Sequence, residues 1–303
     1  MGKFIKYILL FSIPNIFMLA MLEGYIRSCP NEYSIKREWM DEHATEVKTL
    51  ILGSSYADWE FNPELIGDSC FNLAIPTRTV KYDCFLLEKY IGQMPNLQQI
   101  IWGYGYQVPY WDYYYPHFYR DMPSYNSVLF HYQYNMKVHE EAPLFPIAVL
   151  YTPIRNVVLK MIHGNEDLCR PNGFNPRKLL SKGANWNDQP MTVWNVEGTK
   201  EELETVYEAN LHYLKRMLEL CKSKGITFNV VITPVHKNFY SQTTKQQRTA
   251  MYQFLNDAKR EYSNMNVFDF FSDSRFSDDD FQDLNHLSEV GANKISKILC
   301  DTI

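Results

Sequence analysis

Three side chains in this sequence have the types needed to activate a hydroxyl: Ser55, Asp283 and His286. A serine hydroxyl is a weak nucleophile until a neighbouring base takes its proton, and that base needs a third group to hold its tautomer. Ser55 closes the block Gly53-Ser54-Ser55, which follows the apolar run VKTLIL at residues 47–52, and the glycine lets the chain turn sharply there. Asp283-Leu284-Asn285-His286 lies just before the last helical pattern, in a stretch where side chains three residues apart can hydrogen-bond. Each piece alone has an ordinary explanation. Gly and Ser mark turns, and polar residues collect ahead of helices as caps. Taken together they supply nucleophile, base and orienting acid.

Elements able to bring residues so far apart together can be read from periodicity. Short apolar runs at 47–52, 70–74, 97–102, 226–233 and 267–271 predict strands, several of them closed by Gly or Pro. Helical spacing covers residues 80–91, 201–224, 245–262 and 289–301, with Gly225 stopping the second and Ser288 as N-cap of the last. Strand and helix alternate, which predicts a three-layer α/β/α domain with a central parallel sheet. Ligands gather at the carboxyl ends of such strands, so Ser55, residues 102–106, His236 and the segment after residue 271 fall on one edge.

Between about 107 and 198 regularity fades, and this segment is expected to be a partly helical, aromatic-rich insertion. The chain holds 22 Tyr and 18 Phe, and many of these aromatics fall between residues 102 and 134. Tyr106, Trp111 and Tyr114 are candidate substrate contacts, because aromatic faces with polar tips suit stacking on sugar rings. Packing of the insertion onto the domain accounts for them equally well. His236, after Pro234 at the end of the fourth strand, is a candidate pocket wall. Asp278-Asp279-Asp280 reads as a solvated acidic loop.

Sixteen uncharged residues, 7–22, follow Lys3 and Lys6, and counted from Phe4 the stretch approaches the ~20 residues that cross a bilayer. No small-x-small cleavage site follows, so an uncleaved anchor over residues 1–23 and a stalk over 24–45 are expected ahead of a domain at 46–303. The leading lysines favour a cytoplasmic N-terminus, which would place the domain outside the cytoplasm. A net charge of −5 gives no basic field for nucleic acid. Six cysteines show neither CxxC nor metal-like spacing with histidine, so no metal or cofactor is expected, and any disulfide pairing is unreadable.

LILGSS near the start of the domain and DLNHLSEVGANKIS near its end resemble the SGNH/GDSL family of serine hydrolases and acyltransferases, over roughly residues 46–303. The resemblance implies an SGNH, flavodoxin-like sheet with Ser55 as nucleophile, Asp283 as orienting acid and His286 as base. Gly-Ser-Ser with an N-terminal anchor is similar to the branch containing the D-alanyl-transfer protein of teichoic-acid systems and the alginate-type O-acetyltransferases. That branch implies acyl transfer or ester hydrolysis on an envelope polymer or polysaccharide, with a multi-pass membrane protein as acyl donor. The middle blocks depart from the family. Around the second strand there is no oxyanion glycine, and after the third strand Gly103-Tyr-Gly-Tyr-Gln107 replaces GxND. The N–H of Ser55 with the amide of Asn72 or Gln107 are the remaining oxyanion candidates. A catalytically degenerate, polysaccharide-binding or assembly subunit is the alternative those gaps leave open.

Overall fold

The computed structural model describes residues 2–28, 30, 32–112, 169–178, 186 and 199–303. Two compact units divide the chain, one containing residues 1–37 and 117–168, the other residues 38–116 and 169–303.

In the first unit, α1 (Gly2–Ser28) contains the segment Gly2–Tyr25, which is long and apolar enough to cross a membrane, with mean hydropathy 1.8. Its apolar side chains, such as Phe11, Phe17 and Met21, are exposed. Pro14 lies inside the helix, and next to it the Asn15 amide donates to the Phe11 carbonyl at 2.6 Å.

The second unit is built on five parallel strands: β1 (Thr49–Gly53), β2 (Cys70–Asn72), β3 (Gln99–Tyr104), β4 (Thr227–Ile232) and β5 (Met265–Asp269). Their order is β2-β1-β3-β4-β5, with Ile51 opposite Ile101 and Gly103 opposite Val231. Alternation along each strand splits the core into two. Ile51, Ile101 and Val231 join Ile295 and Leu299 of the last helix in one cluster. Leu50, Leu52, Trp102 and Val230 are also buried and point to the opposite face, because neighbouring side chains on a strand alternate. Near-continuous apolar strands are what a parallel sheet covered on both sides requires.

The remaining elements follow in chain order. Helix α2 (Glu32–His43) leads into α3 (Ser55–Asp58) and α4 (Pro63–Ile66), which flank the end of β1 and the start of β2. Helix α6 (Lys200–Ser223) packs against both α5 (Val80–Tyr90) and α8 (Lys245–Lys259), with α7 (Lys237–Gln242) between β4 and α8 in the chain. Helix α9 (Glu289–Thr302) contacts α4. Capping boxes start α6 at Thr199 and α8 at Thr244, where each threonine accepts from the third residue's N–H while that residue's side chain returns to the threonine N–H.

Parts of the expected stalk and of the expected insertion belong to this unit. Residues 38–45 of the expected stalk contribute the buried Met40 and Ala44, and the Trp39 ring stacks on Phe71 at 3.8 Å. Within the expected insertion, residues 107–112 and 169–178 are laid onto the domain. Asn72 N–H donates to Asn172 O at 3.0 Å, and Arg177 O accepts from Glu289 N–H at 2.7 Å. Apart from Trp186, the rest of that insertion, Tyr114 included, lies outside the described residues.

Candidate active site

Gly53 ends β1 with φ +128°, a conformation side chains rarely adopt, and a Cβ there would lie 2.8 Å from Gly103 O. The chain turns at that point and begins α3 at Ser55, while the N–H groups of Ala57 and Asp58 both return to Ser54 O. The Ser55 side chain is thereby lifted off the strand end, half-buried and accessible.

At the other end of the domain, residues 281–287 form a short loop closed by an antiparallel bridge between Phe281 and Leu287. Inside it Asp283 Oδ1 accepts the backbone N–H of Asn285 at 2.9 Å and of His286 at 2.8 Å. The His236 N–H donates to Leu284 O at 3.0 Å, tying the loop to the end of β4.

These two constructions meet. The Ser55 hydroxyl lies 2.9 Å from His286 Nε2, and His286 Nδ1 lies 3.0 and 3.1 Å from the two Asp283 carboxylate oxygens. A carboxylate only accepts, so Nδ1 carries the ring proton and the Nε2 lone pair faces the Ser55 hydroxyl. Burial by itself would raise the Asp283 carboxyl. The His286 hydrogen bond and charge, with the two backbone N–H groups, outweigh it and hold the carboxyl below its ordinary value. Asp283 therefore stays ionised behind the imidazole.

The imidazole is held on two sides by rings, Tyr56 at 5.1 Å and Trp59 at 4.6 Å between centroids. Tyr56 is buried, and its hydroxyl accepts from Asn285 Nδ2 at 3.1 Å and donates to Gln107 Oε1 at 3.3 Å. Burial, followed by the neighbouring Tyr106, pushes its phenol well above the ordinary range, so it stays protonated. Gly105 leaves the room this ring occupies: a Cβ there would lie 2.3 Å from Tyr56 Cε2. Asp83 is buried on the far side of Gly53. It accepts from the Trp102 indole N–H at 2.8 Å and from Gly53 N–H at 3.3 Å, and burial pushes its carboxyl up to about 6.

The other candidates fall differently. Asn72 is not placed as an oxyanion donor, since both of its amide hydrogens are taken by the carbonyls of Ala57 (2.8 Å) and Phe61 (2.9 Å), which lock α3 and the following turn onto β2. Gln107 does reach the site: its Oε1 is held by Tyr56, which turns the Nε2 hydrogens away from that ring. Tyr106 is buried, edge-on to Phe239 at 5.3 Å. Its ring helps line a cavity of about 280 Å³ with Tyr110, Thr244 and Gln247, which includes none of Ser55, Asp283 or His286. Trp111 is buried with its indole N–H donated to Thr77 O at 3.0 Å, so it packs the insertion's first residues onto the domain.

His236 is the N-cap of α7, its Nδ1 accepting Asn238 N–H at 3.2 Å and its Nε2–H donating to Asp278 at 3.1 Å, under the stacked Trp186 ring at 4.3 Å. Burial lowers its basicity. Of the acidic triplet, Asp278 and Asp279 are exposed as expected of a solvated segment, whereas Asp280 is not. Asp280 is buried, accepting Lys294 Nζ at 2.8 Å and Ser277 N–H at 2.8 Å, and Asp278 pairs with His236 and Lys237.

Three residues around the site carry no signal in the sequence. Glu60 is fully buried, its Oε1 accepting Leu287 N–H at 3.4 Å directly after His286. Burial, with the Asp283 charge acting in the same direction, raises its carboxyl well above the ordinary value. Trp59 flanks the imidazole, and Arg177 lies over the Trp59 ring at 4.2 Å. Nothing local marks these three, because each acquires its role through contacts made only on folding.

No protein-family model matches the chain, and no curated protein matches it. Among solved structures, one of a provisionally assigned platelet activating factor from Streptococcus pneumonia is similar at 12% identity and a TM-score of 0.45, covering 96% of this chain and 97% of that one. The chemical case is therefore made by the side-chain geometry alone.

Proposed function

We propose that the chain is a membrane-anchored serine esterase or O-acyltransferase of the SGNH type, acting on acyl esters of an envelope polymer or polysaccharide outside the cytoplasm. The observation that carries this reading is the line Ser55–His286–Asp283, whose 2.9 and 3.0 Å separations are those that general-base activation needs. The apolar N-terminal helix supports the anchor.

In the proposed reaction His286 Nε2 takes the Ser55 proton as Oγ attacks the ester carbonyl, and the carbonyl π electrons move onto oxygen. Among the described residues the Ser55 and Tyr56 N–H groups of α3 have no acceptor, and with the Gln107 amide they are the donors available to that oxyanion. Collapse breaks the bond to the alcohol oxygen, which leaves with the proton from His286, and acyl-Ser55 remains. Water or a sugar hydroxyl, deprotonated by His286, then takes the acyl group and restores the serine. A multi-pass membrane protein is the proposed donor where the acceptor is a sugar.

The commitment of Asn72 to backbone carbonyls favours one second reading, a binding or assembly subunit whose chemistry has lapsed. Turnover of 4-nitrophenyl acetate by wild type and Ser55→Ala, with mass spectrometry for an acyl adduct, separates the two. The esterase reading expects an acetylated Ser55 peptide and loss of turnover in the variant. Equal turnover, or absence of any adduct together with absence of turnover, contradicts it.

A further inference from the structure

We propose that Arg177 and Trp59 form an anion-recognition subsite beside the reacting serine, so that the preferred ester carries a carboxylate or phosphate group; this rests on the esterase reading above and names its substrate class. The Arg177 guanidinium lies 4.2 Å from the Trp59 ring centroid, and that ring lies 4.6 Å from the His286 ring centroid at 59°. The same indole thus touches both a guanidinium and the imidazole that faces Ser55. A guanidinium over an aromatic ring carries five N–H donors that the ring does not satisfy, and its planar fork matches the paired oxygens of a carboxylate or phosphate.

No carboxylate supplies that partner among the described residues. Glu289, whose backbone N–H donates to Arg177 O at 2.7 Å, has its carboxylate bound by Arg170 at 2.5 Å. Among the described residues, Arg177 Nε and Trp59 Nε1 are both buried without an acceptor. A buried donor without an acceptor is costly, and an anion seated against this residue pair would relieve that cost.

The cation is also held in place. Its segment is pinned through Asn172 O to Asn72 N–H at 3.0 Å and through Asn175 N–H to Asp58 O at 3.3 Å. Gly173 approaches so closely that a Cβ would lie 2.0 Å from Asn72 O. With its backbone anchored and its guanidinium over the Trp59 ring, this side chain has less ordering entropy to lose on binding an anion than a free surface arginine.

The test uses the full-length chain in detergent and three acetyl esters: methyl 4-acetoxybenzoate (neutral), 4-acetoxybenzoate (carboxylate) and 4-acetoxyphenyl phosphate. Wild type is expected to prefer at least one anionic ester over the neutral one in kcat/KM by roughly 10-fold or more, a charge-assisted contact being worth that much. The ratio should fall towards one in Arg177→Ala and be kept in part by Arg177→Lys. Which anion is preferred tells a uronate-like from a phosphorylated substrate. A ratio unchanged in Arg177→Ala, even with both rates reduced, overturns the proposal and leaves the guanidinium as a prop for Trp59. Calorimetric binding of the same esters to Ser55→Ala, with and without Arg177→Ala, reads the preference without turnover. There, an anion preference that disappears with Arg177 supports the subsite even if the ester chemistry fails, and equal affinity for charged and neutral esters overturns it.

Discussion

Replacing Asp283 with Asn tests how the base is held while disturbing little else. Asp283 Oδ1 accepts two backbone N–H groups, and an asparagine carbonyl can keep both. The amide nitrogen must then take the place of Oδ2, 3.0 Å from His286 Nδ1. Two N–H donors cannot face each other, so the imidazole is driven to the tautomer that carries its proton on Nε2. That nitrogen then points a hydrogen at the Ser55 hydroxyl and can no longer take its proton. Losing the correct tautomer costs ~10³–10⁴-fold in comparable sites, or about 4–5.5 kcal/mol of barrier. The assay is the second-order rate of Ser55 labelling by a fluorophosphonate, followed by intact-protein mass spectrometry. The variant should remain folded. Acid-side behaviour should change too: the depressed Asp283 carboxyl contributes stability that is present above its unfolded value and lost as pH falls through its folded one, and Asn removes that loss. A folded Asp283→Asn that labels at the wild-type rate refutes the reasoning.

Three further outcomes follow. Glu60 has a raised folded pKa, so its contribution is fully present below the ordinary glutamate range and is lost as pH rises through the folded value. Glu60→Gln should therefore raise Tm at pH 8 and flatten the decline in Tm from pH 5 to 8, read by calorimetry across pH; an unchanged slope contradicts this. Asp83→Asn leaves one acceptor for two donors, Trp102 Nε1 and Gly53 N, and should cost about 1–3 kcal/mol in a urea melt, with slower labelling of Ser55 because the turn at Gly53 loosens. Gly105→Ala drives a methyl into the Tyr56 ring; overpacking of this kind costs about 1–3 kcal/mol, and labelling should slow as Tyr56 shifts against His286, whereas wild-type stability and rate together would show that the ring yields freely.

The sheet was legible because its strands are short apolar runs punctuated by Gly or Pro, and register differs from the expected spans mainly at the ends, as with β5 at Met265–Asp269. Ser55, Asp283 and His286 were legible because two of them share one four-residue turn and the third follows a glycine that only a sharp turn requires. The adjacent Ser54 offers the same functional group, and only the fold separates them: Ser55 faces the imidazole, while the Ser54 hydroxyl is buried with no partner among the described residues. Asn72 and His236 were singled out by position at strand ends, but position does not say where hydrogen bonds go, and both serve the local backbone. In the acidic triplet only Asp280 departs from the solvated reading, for a similar reason: its partner Lys294 lies 14 residues away, as His236 lies 42 residues from the exposed Asp278. Glu60, Trp59 and Arg177 had no local pattern at all.

The most direct measurement is peptide-level mass spectrometry of the full-length chain after reaction with a fluorophosphonate. A phosphonylated peptide modified at Ser55, absent from Ser55→Ala and strongly reduced in His286→Ala, is the predicted result. Modification at Ser54 or elsewhere, or labelling of Ser55 that persists undiminished without His286, would contradict the account.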